Sequence, residues 1–252
     1  MKRRYKLLIG FLITGIFLIT IFFITKDKKV YYLSLGDSLA AGQTPNNSIG
    51  LSYGDYVSEY LKDKEVLEFY TKSFAKSGYR SIDLLNDLKN NKTVKINGKS
   101  LTIKHALIKA DIVTLSIGSN DLFYKLNIGN EFDLNEFDDI YTYVDESIKD
   151  IDKLLYELRK SCKEQIMVFG FYNPFTAFSS TLANTVEPVI LYANKMEDLV
   201  KKYDMTYVDI HDMFLANDNY LPKKLEIHPT TLGYKAMAKS VISLIDKKTL
   251  AK

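Results

Sequence analysis

Short unbroken apolar runs alternate along this chain with stretches in which apolar residues recur every third or fourth position. That is the pattern of buried strands separated by amphipathic helices. Val30-Tyr-Tyr-Leu-Ser-Leu35 reads as a first strand, broken by the small and turn-forming Gly36-Asp37-Ser38. Leu51, Tyr53, Tyr56, Val57, Tyr60 and Leu61 mark one face of a helix over 51–62, and 66–70 reads as a second strand. A loop over 73–81 is centred on Gly78, and a further helix begins at Ile82. Residues 92–100 alternate charged and apolar positions around Asn97-Gly98, a hairpin signal.

The clearest buried strand is 111–117, which stops at Gly118-Ser119-Asn120-Asp121; residues 122–137 read as irregular. Ile140, Val144, Ile148, Ile151, Leu155 and Leu158 define a long amphipathic helix. Residues 165–171 read as a fourth strand, ended by the proline of Tyr172-Asn-Pro-Phe175. Residues 185–203 read as helical, 206–210 as a fifth strand and 232–245 as a terminal helix. Five strands alternating with helices predict right-handed crossovers and a five-stranded parallel sheet covered on both faces, an α/β three-layer, flavodoxin-like sandwich.

One stretch does not fit that pattern. Residues 7–25 are uncharged and dominated by Leu, Ile and Phe, with Lys2, Arg3, Arg4 and Lys6 before them and Lys26, Asp27, Lys28 and Lys29 after. As a helix these residues would span roughly 28 Å, close to the hydrocarbon thickness of a bilayer. The run is longer than the apolar part of a usual signal peptide and lacks a small-x-small cleavage site, so it reads as an uncleaved transmembrane signal anchor. Secretion after cleavage is the alternative. The organisation expected is an anchor and linker over 1–29 and one domain over 30–252, held outside the cytoplasmic membrane by the basic flank on the amino side.

Charge narrows the partners. Of the 34 basic residues, Lys2, Arg3, Arg4, Lys6 and Lys26 flank the apolar run; without them 29 basic face 31 acidic residues. Nucleic-acid binding requires a concentrated basic surface, and this balance argues against it. The single Cys162 excludes an intramolecular disulfide and cysteine-rich metal sites. No zinc signature, phosphate-cradling glycine loop or dinucleotide fingerprint is present, so no metal or other cofactor is called for. The Gly-x-Ser-x-Gly elbow is also absent, because Ala40 stands where its second glycine belongs.

Four short segments carry the candidate chemistry: Gly36-Asp37-Ser38-Leu39, Ser77-Gly78, Gly118-Ser119-Asn120-Asp121 and His228-Pro229. Alone, Gly78 reads as a turn glycine, Asn120-Asp121 as a helix cap and His228 as a loop residue. Together and in this order they resemble the signature blocks of the SGNH hydrolases, the GDSL-type esterases and lipases, over nearly all of 30–245. The resemblance implies a serine hydrolase of carboxylic esters, with Ser38 as nucleophile and His228 as its base. It also implies an oxyanion hole from the backbone N–H groups of Ser38 and Gly78 and the side-chain amide of Asn120. Histidine suits the base role because its ordinary pKa lies near 6.5, and glycine lets substrate approach the main chain.

In that family an aspartate usually stands three residues before the histidine, where this chain has Leu225. Glu226, Asp209, Asp212 or a main-chain carbonyl remain as orienters, with Glu226 nearest in sequence. His211 is a weaker rival base, and His105 is expected on a helix surface. The apolar residues of 122–128 and the cluster Phe171, Tyr172, Phe175 and Phe178 could line an acyl site, with Phe123, Tyr172 and Phe175 as substrate contacts. The resemblance implies lipids, lysophospholipids or acetylated sugars as substrate classes. An O-acetylesterase of cell-wall glycans and a non-catalytic binding homologue stand as alternatives.

Overall fold

A computed structural model describes residues 29–126, 139–245 and 247–250. The apolar run 7–25, read as a transmembrane helix, lies outside the described residues, as does Ile128. Among the described residues no helix is long and apolar enough to cross a membrane.

The chain opens with β1 (Val30–Gly36), the short helix α1 (Ser38–Ala41), α2 (Tyr53–Asp63), β2 (Leu67–Thr71) and α3 (Ser81–Lys89). A hairpin of β3 (Thr93–Ile96) and β4 (Lys99–Thr102) leads into α4 (Ile103–Lys109), β5 (Ile112–Ser116) and α5 (Ser119–Lys125). Then come α6 (Ile140–Ser161), β6 (Gln165–Phe169), α7 (Ser180–Ala193), α8 (Met196–Lys202), β7 (Thr206–Val208), α9 (His211–Leu215) and α10 (Thr231–Leu244).

The main sheet has the order β2-β1-β5-β6-β7, and every pairing in it is parallel. Counting only its own strands, that is 2-1-3-4-5, the flavodoxin-like arrangement expected. The period-two pleat sorts its side chains onto two faces. Leu33, Leu35, Val113, Leu115, Ile166 and Val168 face α3, α4, α6 and α8, meeting Leu84, Leu107, Leu155 and Val200. Tyr32, Ile112, Met167 and Phe169 point the other way, against Tyr53 and Val57 of α2 and Met237 and Val241 of α10. Each such aliphatic side chain removed from water contributes about 1.5–3 kcal/mol.

A third apolar cluster, Leu126, Ile140, Val144, Val189 and Ala193, lies off the sheet among α5, α6 and α7. It matters below.

Two readings of the sequence change. Of the stretch 122–137 read as irregular, 122–125 belong to α5, which Gly118 at φ +112° starts as its N-cap, while 127–137 lie outside the described residues. The helical region 185–203 is two helices that begin earlier, at Ser180, and break at Asn194-Lys195. There the Asn194 side chain turns back to accept the Phe171 N–H (2.7 Å) and donate to the Phe171 carbonyl (3.1 Å).

Parallel strands deliver all their carboxyl ends to one edge, and the order reverses between β1 and β5. In open α/β sheets that crevice is where ligands bind. Ser38 follows β1 and Asn120 follows β5 at this place.

Candidate active site

Gly36 makes the first turn possible. At φ +125° a Cβ on it would sit 1.8 Å from the Ser116 carbonyl oxygen, so only glycine lets the end of β1 lie this close to β5. Asp37 then caps α1, accepting from the Leu39 N–H (3.1 Å) and the Ser116 hydroxyl (2.8 Å). Burial pushes the Asp37 carboxyl up to about 7, against those two hydrogen bonds, which pull it down. Ser38 is the first residue of the helix and is 9% exposed. Among the described residues no acceptor takes its backbone N–H.

The partner of Ser38 comes from 190 residues away. The Ser38 Oγ and His228 Nε2 lie 3.0 Å apart, and His228 Nδ1 lies 2.7 Å from Glu226 Oε1. That same oxygen accepts the backbone N–H groups of Ile227 (2.7 Å) and His228 (3.2 Å). Burial works to raise the Glu226 pKa, but these N–H groups and the His228 ring outweigh it and hold the carboxyl below its usual range. An ionised carboxylate only accepts, so the ring proton sits on Nδ1 and the Nε2 lone pair faces the Ser38 hydroxyl. This is the geometry in which a hydroxyl can give up its proton.

The other candidate orienters are committed elsewhere. Asp209 accepts the His211 N–H (2.9 Å), and Asp212 holds His211 Nδ1 (3.0 Å). His211 Nε2 meets Glu187 Oε1 at 2.6 Å, so both ring nitrogens are engaged by carboxylates and neither faces Ser38. His105 is exposed on α4.

Asn120, in the first turn of α5, donates one amide hydrogen to the Tyr79 carbonyl (3.0 Å), which fixes the plane of the other. Next to it Asp121 accepts the Ser81 N–H through both oxygens (3.1 and 2.9 Å) and the Ser81 hydroxyl (3.2 Å). Burial raises the Asp121 pKa to about 6, against the Ser81 bonds that lower it. The loop carrying Gly78 is thus pinned at Tyr79 and Ser81, and at its start by Lys76 N–H to the Gly36 carbonyl (3.0 Å). Gly78 has φ +80°, a Cβ there would meet nothing within 4 Å, and no acceptor among the described residues takes its N–H.

Beside this cluster lies a cavity of about 540 Å³. Ser38, Asn120 and His228 stand at one part of its wall, while Gly78 does not line it. The rest is chiefly apolar. Phe123, Phe171, Tyr172 and Phe175 line it as expected, whereas Phe178 is 41% exposed and lies outside the wall. Tyr172 has a second attachment, its hydroxyl donating to the Ile227 carbonyl beside His228.

Sequence reasoning missed the larger share of this wall: Val144, Ile148 and Ile151 of α6 and Val186, Val189 and Ile190 of α7. Helical periodicity marks an apolar face without telling whether it meets another helix or a void.

The model of the GDSL-like lipase/acylhydrolase family matches residues 34–236, a stretch that includes Ser38, Gly78, Asn120, Glu226 and His228. The uncharacterized protein YpmR of Bacillus subtilis (strain 168) is 28% identical over 236 residues, 90% of this chain and 86% of that protein. Lipase Lip_vut3 from a goat rumen metagenome has the same fold, with a TM-score of 0.64 at 20% identity over 85% of this chain and 97% of that one. The extracellular lipase of Streptomyces rimosus gives 0.61 at 17% identity over 84% and 98%. Axe2, an acetylxylan esterase from Geobacillus stearothermophilus, gives 0.57 at 18% identity over 87% and 95%.

Proposed function

The chain belongs to the GDSL-like lipase/acylhydrolase family, and from that premise we propose that it is a serine hydrolase of carboxylic esters that prefers long acyl groups. The observation that carries the preference is the apolar cavity of about 540 Å³ beside the Ser38–His228 pair. At ~30 Å³ for a water-sized group, that is room for roughly eighteen such groups, where the methyl of an acetyl ester needs one. Each buried methylene adds ~0.8 kcal/mol of binding.

In this reading His228 Nε2 takes the Ser38 proton as Oγ adds to the ester carbonyl, with Glu226 stabilising the imidazolium that forms. The oxyanion is met by the N–H groups of Ser38 and Gly78 and the free amide hydrogen of Asn120, donors set in place before reaction. The imidazolium then gives its proton to the departing alkoxide, leaving the acyl group on Ser38 and releasing an alcohol. Water, deprotonated by His228, adds to the acyl carbon; collapse returns the Ser38 hydroxyl and frees the acid.

The apolar run 7–25 supports anchorage to the cytoplasmic membrane with the enzyme domain, 30–252, on its outer face. Glycan O-acetylesterase activity is the second reading, suggested by the fold shared with the acetylxylan esterase Axe2.

A fluorophosphonate probe and a series of p-nitrophenyl esters from acetate to decanoate test the proposal. The wild-type protein should label and should turn over decanoate with a higher kcat/KM than acetate, and Ser38→Ala should abolish both. Undiminished hydrolysis by Ser38→Ala would remove the nucleophile from the scheme. A wild-type profile peaking at acetate would transfer the assignment to the O-acetylesterase.

A further inference from the structure

Helix α7 forms one side of the cavity, and its apolar packing against α5 and α6 rests mainly on Val189, Tyr192 and Ala193, near its carboxyl end. Of its fourteen residues only Ala183, Val189 and Ala193 are buried. Pro188 stands inside the helix and lacks the N–H that would bond the Asn184 carbonyl. At the middle of the helix the contacts are polar. Glu187 is the only charged residue in α7, and both of its carboxylate oxygens are engaged. Oε2 accepts from Asn173 Nδ2 (2.8 Å), and Oε1 meets His211 Nε2 (2.6 Å).

Asn173 is 1% exposed and fully used. Its amide also donates to the Ala183 carbonyl one turn earlier in α7 (2.9 Å), and its oxygen accepts the Phe175 N–H (3.1 Å). Its chain neighbours Tyr172 and Pro174 both line the cavity, as does Phe175. His211 is fixed in turn by Asp212 at Nδ1. Glu187 therefore faces away from the cavity while the neighbouring Val186 and Val189 face into it. Removing its carboxylate would free one face of the helix without deleting an atom of the wall.

We propose that Glu187, clamped between Asn173 and His211, is a positioning residue that sets acyl-chain selectivity by fixing α7 as the wall of the cavity. A polar network fixes one geometry when its members are satisfied, as the buried Asn173 and the part-buried Glu187 are here. The inference rests on the acylhydrolase reading above, since the cavity has a selectivity to set only if acyl chains enter it.

The test is the decanoate-to-acetate ratio of kcat/KM in the full-length protein, wild type against Glu187→Ala and Glu187→Gln. The alanine variant should lower the ratio at least tenfold, chiefly through a higher KM for decanoate. Glutamine keeps the length of the side chain and an acceptor for Asn173, and should restore the ratio to within threefold of wild type. A global fold defect moves both esters together and leaves the ratio alone, so an alanine ratio within twofold of wild type overturns the inference. If Glu187→Ala is not recovered folded, His211→Asn carries the same expectation and the same threshold. A wild type that itself prefers acetate defeats the acylhydrolase reading instead, whatever the variants do.

Discussion

Replacing Glu226 with glutamine separates the charge of the orienting side chain from its geometry. One oxygen, Oε1, accepts three donors: the N–H groups of Ile227 and His228 and the His228 ring at Nδ1. An amide that turned its nitrogen to that place would leave two backbone donors facing a third, and each unsatisfied buried donor costs about 1–3 kcal/mol. The glutamine oxygen should therefore occupy the carboxylate's position and keep the proton on Nδ1. What is lost is the attraction between carboxylate and imidazolium in the transition state. For charges about 4 Å apart at an effective dielectric constant near 20 this is ~4 kcal/mol, or up to about 10³ in rate.

Glu226→Gln should thus lower kcat on a p-nitrophenyl ester by about 10²–10³, short of the ~10⁴ seen where an amide reverses the histidine tautomer. KM should change little, and thermal unfolding should confirm an intact fold. A loss below tenfold would show that no charge on His228 is being stabilised from this side. A loss matching Ser38→Ala would show that the amide has turned and the single-oxygen argument is wrong.

Two further outcomes follow from the same geometry. Asn120→Ala removes an amide already fixed by Tyr79 and should reduce kcat by about 10²–10³ with KM nearly unchanged, the usual effect of losing one oxyanion donor; a KM effect alone would assign Asn120 to substrate binding. Asp37 titrates near 7 in the folded protein and near 3.8 when unfolded, so over that window the folded state holds a proton the unfolded chain has released. Stability therefore falls as pH rises from about 4 to 7 and is level above. Asp37→Asn keeps an oxygen for Leu39 and Ser116 and should melt higher than wild type at pH 8, with the gap closing near pH 4; a pH-independent shift in Tm would refute the buried-charge account.

The centre of the sheet was legible because β1, β5 and β6 are buried on both faces and read as near-continuous apolar runs, as 111–117 does. Helices were harder to bound. Residues from Leu122 on read as irregular, though the helix begun at Gly118 runs through them to Lys125. Likewise nothing in the pattern from Thr185 to Tyr203 announces that Asn194 leaves the helix to hold Phe171. In the candidate site, Ser38, Asn120 and His228 stood in short motifs, since polar groups at strand ends stand out against apolar runs, and Glu226 was only the nearest of several candidate acids. Leu225 at the expected acid position was visible as a departure; that Glu226 reaches the ring depends on a loop conformation no spacing rule encodes. Glu187 left a signal that was overlooked, a lone charge in an otherwise uncharged helix.

The parallel sheet also gives the molecule a front and a back. The described chain enters at the back, at Val30, and the seven residues of β1 carry it about 23 Å to the mouth beside Ser38. Only Lys26 to Lys29 separate the apolar run from β1, a leash of at most ~14 Å. Under the anchorage proposed above, the molecule would be gripped by its rear, with its opening turned outward from the lipid. On that proposal the esters it would meet first are those that have left the bilayer or are displayed on whatever lies beyond.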